Sequence, residues 1–176
     1  MRNKIIIPIV LFFSLTLNSC FESIEPRYLV TIERDFDIPA NLAIIPTHFF
    51  VLRNIPTFYE ENLALNGLEA DEVTTVFPST ANIQTVLDEV DWSFVEMIEI
   101  FALSQEDENI KRRIFFADQA DFTNRSQVGL FNVLVDMKEF VNQSTMTLEV
   151  RLKTRAFVPR NINARVSLTY GVFDTE

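Results

Sequence analysis

The chain has 176 residues and carries 25 Asp and Glu against 15 Lys and Arg, a formal net charge of −10. An acidic balance of this kind repels phosphate backbones and argues against a nucleic-acid partner. Glycine occurs only at Gly67, Gly129 and Gly171, and no GxGxxG, GxxxxGK[ST] or GxSxG pattern is present, so neither a phosphate-cradling loop nor a nucleophile elbow nor a cofactor is indicated.

The first twenty residues are the most informative. Arg2 and Lys4 give a positive start, Ile5 to Leu17 is a nearly unbroken apolar run, and Asn18-Ser19-Cys20 follows. That is the layout of an export leader, and the run is too short to span a bilayer. Leu17-Asn18-Ser19-Cys20 resembles a bacterial lipobox, and the leader resembles those of gram-negative lipoproteins processed by signal peptidase II. The resemblance implies a signal peptide over residues 1–19 and acylation of Cys20, with palmitate among the attached chains. Because Phe21 rather than Asp follows the cysteine, it also implies a place in the outer membrane of the cell envelope, facing the periplasm or the cell surface. Cys20 is the only cysteine. Lipidation therefore accounts for an unpaired thiol in an exported chain, and the domain can hold no internal disulfide. Residues 20–27 comprise the lipidated Cys and a short tether. Its seven residues from Phe21 to Arg27 reach about 25 Å at most, which keeps the domain at residues 28–176 close to the membrane.

In chain order, Tyr28, Val30 and Ile32 alternate with Thr31 and Glu33, a first strand. Phe49 to Asn54 is apolar and β-prone. Thr57-Phe-Tyr-Glu60 has capping-box spacing, which predicts a short helix ended by Gly67. Glu72 to Phe77 and Ile83 to Leu87 read as two further strands. Met97 to Leu103 and Ile110 to Ala117 flank the polar Ser104–Asn109 segment, a hairpin. Val128 to Val135 is another strand, and Met137 to Phe140 a short helical turn.

The C-terminal pattern is the cleanest. Met146, Leu148, Val150 and Leu152 alternate with Thr147, Glu149, Arg151 and Lys153. After Pro159 the alternation recurs, with Ile162, Ala164, Val166, Leu168, Tyr170 and Val172 on one face and Asn163, Arg165, Ser167 and Thr169 on the other. Two such strands across a short break predict an antiparallel hairpin with one dry face. The expected fold is all-β, an antiparallel β-sandwich of seven to nine strands with one or two short helices. Outside the leader the likeness to small β-sandwich envelope lipoproteins is diffuse. It rests on Val90–Val95, Val135–Phe140 and the final hairpin, and implies no active-site residue.

Little in the chain suggests catalysis. His48 is the only histidine and lies beside Phe49 and Phe50 in a strand, which reads as a structural or surface residue rather than a triad base or zinc ligand. The acidic groups Glu69/Asp71/Glu72, Asp88/Glu89/Asp91 and Glu106/Asp107/Glu108 lack EF-hand spacing and read as solvated charge, although none is excluded as a calcium site by sequence. With 25 acids, a carboxylate pair at glycosidase separation arises by chance, so it is no signal.

The outward positions are more promising. If the hairpin forms, Arg151, Lys153 and Arg155 share a face with Arg165, a cationic patch flanked by Phe157 and Phe173. The alternative is that Glu149 and other acids neutralise it. Phe101 and Phe115 are also placed outward by alternation. Exposed aromatics of this kind stack on sugars or anchor protein partners, unless loops cover them. The sequence thus leads to a non-enzymatic, membrane-anchored binding or structural lipoprotein contacting another envelope protein. The alternative is a carbohydrate-binding module that takes a glycan on exposed aromatics.

Overall fold

The computed structural model describes residues 25–87, 90–107, 109–118 and 126–174. The leader, Cys20 and most of the tether lie outside the described residues. The domain is all-β, with eight antiparallel strands among the described residues. β1 (Tyr28–Ile38) and β2 (His48–Pro56) precede helix α1 (Tyr59–Asn66). β3 (Val73–Thr85) leads through a 3-10 turn at Trp92–Phe94 to β4 (Val95–Leu103), β5 (Lys111–Asp118) and β6 (Gln127–Asn132). Helix α2 (Lys138–Val141), β7 (Thr145–Thr154) and β8 (Ile162–Asp174) complete it.

The strands form one sheet in the order β1-β8-β3-β6-β5-β4-β7-β2. Two halves meet at β5–β6, where among the described residues Phe115↔Asn132 and Phe116↔Phe131 pair. The outer edges β1 and β2 approach each other without a ladder among the described residues, and Phe36 and Phe50 touch across them with ring centroids 5.4 Å apart. The sheet is therefore nearly closed and barrel-like, and not clearly divided into the two layers of a sandwich.

Alternation works as anticipated on the inner side. Val150, Val166, Leu168, Tyr170 and Val172 are buried, with Ile98, Ile100 and Val76 from neighbouring strands. The two ends are stoppered. At one, Tyr59 and Leu63 of α1 and Phe140 of α2 turn inward. At the other, Trp92 and Phe94 stack at 5.8 Å, and the Trp92 indole N–H donates to the Ser126 carbonyl at 3.2 Å.

Local departures have local causes. The capping box does not form. Phe58 occupies the N-cap in a left-handed conformation (φ 55°), and the Thr57 hydroxyl donates instead to the Gln143 carbonyl. Gly67 does end the helix at φ 67°, where a Cβ would be strained. The two strands expected over 72–87 are one, with a register shift between Pro78 and Thr80 that lets a residue lacking an N–H stay in the ladder. Gly171 allows the incoming chain to pass closely, since a Cβ there would lie 2.9 Å from the Pro26 side chain.

The largest correction is topological. β7 and β8 do not pair. β7 lies between β2 and β4, and β8 between β1 and β3, so the final hairpin is absent. The β4–β5 hairpin is present, closed by Ser104 N–H to the Ile110 carbonyl at 2.9 Å.

Candidate functional site

The split of β7 from β8 separates the expected cations. Arg151 and Lys153 point outward from β7, and Arg165 from β8 in the other half of the sheet. Each is engaged. The Arg151 Nε donates to Glu149 at 2.7 Å, and Lys153 Nζ to Glu96 at 2.6 Å. Arg165 grips Asp35 with two bonds of 2.6 and 3.0 Å and has Glu33 at 3.4 Å. Those bonds hold the Asp35 carboxyl below the usual carboxylate range. Arg155 follows β7, and its Nε donates to the Val95 carbonyl at 2.8 Å. A single four-cation patch is thus not assembled.

The aromatics separate as well. Phe157 is exposed in the β7–β8 connection, beside an open groove of about 390 Å³ shared with Val90, Phe94, Pro159 and Arg160. Phe173 is half-buried on β8, edge-on to Phe77 at 5.5 Å. Phe115 does not face outward. A register shift after Ile100 lets Ile114 and Phe115 both turn inward, and Phe116 takes the outer position. Phe101 is outward and half-buried as expected, opposite the buried Ile98 and Ile100.

In their place the structure brings together a constellation on the outer face of β2, β7, β4, β5 and β6. One cross-strand row runs Phe49, Arg151, Glu99, Phe116 and Phe131. The next runs Val51, Glu149, Phe101 and Arg113. Glu99 accepts from Arg113 at 2.7 Å, and Glu149 accepts from both Arg151 and Lys111, the latter at 3.3 Å. The Arg151 guanidinium lies 3.9 Å from the Phe101 centroid and 5.4 Å from that of Phe49, and Arg113 lies 5.0 Å from Phe116. Cations over ring faces attract through the ring quadrupole, more strongly as water is excluded. Phe49, Val51 and Phe131 remain exposed.

The opposite half differs in character. Thr31 bonds Thr169 at 2.8 Å, Asn163 bonds Asp37 at 3.0 Å, and Arg165 bonds Asp35, a polar ladder on β1 and β8. The outside of the domain is therefore divided into a polar side and an aromatic–cationic side.

Phe49, Phe116, Phe131, Glu99 and Arg113 were not singled out from sequence. Phe49-Phe-Val-Leu52 is apolar at both parities and hides its outer face, and the register shift inverts the reading of Phe116. Phe131 was legible, since Val128 and Leu130 fix the inner face of β6.

Other candidates resolve simply. The His48 Nε2 is within 2.8 Å of the Ala43 carbonyl. Glu72 closes its own turn by accepting from the Glu69 N–H at 2.7 Å. Asp88, Glu89 and Glu108 of the other two acidic groups lie outside the described residues. Among the described residues no three His, Cys, Asp or Glu side chains converge as metal ligands, and no helix is long and apolar enough to cross a membrane. No family model matches the sequence, and no curated protein matches it.

Proposed function

We propose that this is an envelope lipoprotein, anchored in the outer membrane through Cys20, that works as a non-enzymatic binding module for another envelope protein. The observation that carries the binding half is the outer row Phe49, Arg151, Glu99, Phe116 and Phe131, a broad face of rings and guanidinium groups on a rigid sheet. Aromatic and Arg side chains of this kind dominate the energetics of protein contacts. The ring pair at its margin, Phe116 and Phe131, is tilted by 44°. That geometry supports a protein contact over a flat sugar platform. We read the two half-sheets as the layers of a sandwich joined along β5–β6.

The anchoring half rests on the leader. Arg27, 3.9 Å from Asp174, marks the pole where the chain enters, so a tether from Cys20 would set that pole against the membrane. The β1–β2, β3–β4 and β7–β8 connections would then point away from it. Two measurements test the reading. Cells fed labelled palmitate should label the wild-type chain and not Cys20→Ala, which should leave the membrane fraction. If the wild type takes up no label, the anchoring claim falls. A photocrosslinking residue placed at Phe131 should trap a discrete protein that the same residue at Thr31 does not. Equal or absent trapping at both positions removes the binding claim.

A further inference from the structure

We propose, on the footing that this face is the contact surface, that its partner presents a protein segment with carboxylates between apolar side chains. The ion pairs here are layered in depth. The Glu149 side chain is 11% exposed against 34% for Lys111, and Glu99 14% against 46% for Arg113. Arg151, 21% exposed, lies over both acids. Lys153 and Glu96 are comparably exposed. Glu99 and Glu149 thus lie beneath their cations, so what a partner meets across the middle of the face is ring surface with guanidinium and ammonium groups.

The layout sets the partner's pattern. The most exposed rings, Phe49 and Phe131, mark the two margins of the row, and Arg151 and Arg113 lie between them. Four strand spacings separate the margins, about 19 Å at roughly 4.8 Å each. An extended chain advances about 3.3 Å per residue and its side chains alternate, so about seven residues crossing the strands place an apolar side chain of one face at each ring. Carboxylates in the middle of that segment meet the fork-shaped donors of Arg. Charge sharpens the choice. A chain with 25 acids and 15 bases repels an acidic partner over most of its surface, and this face is where that repulsion is relieved. A bilayer fits less well, because burying both rings would carry the charged heads between them toward hydrocarbon.

The test uses the full chain in detergent and fluorescence anisotropy of a labelled Phe-Gly-Glu-Gly-Glu-Gly-Phe peptide. Its controls are a counterpart with Lys for each Glu and phosphatidylcholine vesicles holding about 30% phosphatidylglycerol. The acidic peptide should bind at least about tenfold more tightly than the Lys peptide. Its affinity should fall about fivefold between about 50 and 300 mM salt. The doubly substituted Phe49→Ser, Phe131→Ser chain should lose about fivefold or more, with an unchanged melting temperature. If that chain is unstable, Arg113→Gln should weaken the acidic peptide at least about threefold. Equal binding of both peptides, or none, overturns the proposal. So does flotation with vesicles that depends on Phe49 and Phe131 without peptide binding. A Lys peptide that binds more tightly, and loses its affinity with the two rings, overturns the charge assignment alone and leaves the contact face standing. Binding and crosslinking both indifferent to the rings overturn the contact face itself.

Discussion

Glu149 offers a sharp test of how the charged face is held. Its carboxylate is nearly buried and accepts from Arg151 at 2.7 Å and from Lys111 at 3.3 Å. Arg151→Met removes the shorter bond and the cation over Phe101, while its stem still covers apolar surface. Lys111 remains on Glu149 and Arg113 on Glu99, so no carboxylate is stranded, and the expected loss is about 1–2 kcal/mol. Lys111→Met removes the longer, more exposed pairing and should cost about 0.5–1 kcal/mol. Together they leave Glu149 buried without a cation, and the loss should rise to about 3–5 kcal/mol. The pair should therefore exceed the sum of the singles by about 1–2 kcal/mol, and a Glu149→Gln background should erase that excess. Urea denaturation followed by emission of Trp92, the sole and fully buried tryptophan, measures all of these chains. Additivity within about 0.5 kcal/mol would refute the view that the two cations share one dependent carboxylate.

Other expectations follow from single sites. Leu168 is 1% exposed between Ile32 and Ala81, so Leu168→Ala should cost about 3 kcal/mol by leaving a cavity and lower the melting temperature by about 6–12 °C in calorimetry. Burial, with Tyr59 nearby, pushes the Tyr28 hydroxyl up to about 12, and burial also raises Tyr170, whose hydroxyl donates to the Thr57 carbonyl at 2.6 Å. Neutral tyrosine is thus favoured in the folded state. Its contribution is complete below about pH 10 and is lost as pH rises toward about 12, so absorbance at the phenolate band should show delayed ionisation that Tyr28→Phe reduces. Asp35 carries the opposite sign. Its lowered pKa stabilises the fold above the carboxylate range, and the advantage of wild type over Asp35→Asn in urea melts should shrink as pH falls below the ordinary Asp value of about 4.

The faces of most strands were legible from sequence, and of their pairings the β4–β5 hairpin was, while those of β7 and β8 were not. The alternation of Met146–Leu152 and Ile162–Val172 reports which side chains are dry, because a period of two is a property of each strand by itself. Pairing partners are set by the whole sheet, and proximity in sequence misled at the break after Thr154. There the chain buries Val158 and bonds Asn41 N–H to its carbonyl at 3.0 Å, carrying the strand across to β1 and β3 instead of folding back. The cationic patch failed for that reason, since it assumed a hairpin. The outer rings failed for another. Ile114, Phe115 and Phe116 are all apolar, and only the register with β4 decides which of them turns outward.

The place of β8 bears on the order of events as the chain is made. β1 comes early and β3 midway, yet each borrows most of its ladder from β8, which follows every other strand. While residues 162–174 are still being synthesised, both strands lack their shared partner and their half of the interior has no floor. The β4–β5 hairpin, by contrast, can close at once from local pieces. Such a domain stays pliable until β8 has emerged, and the step that commits it is a long-range closure. Slow folding follows from that alone, because bringing distant segments together costs loop entropy before any contact repays it.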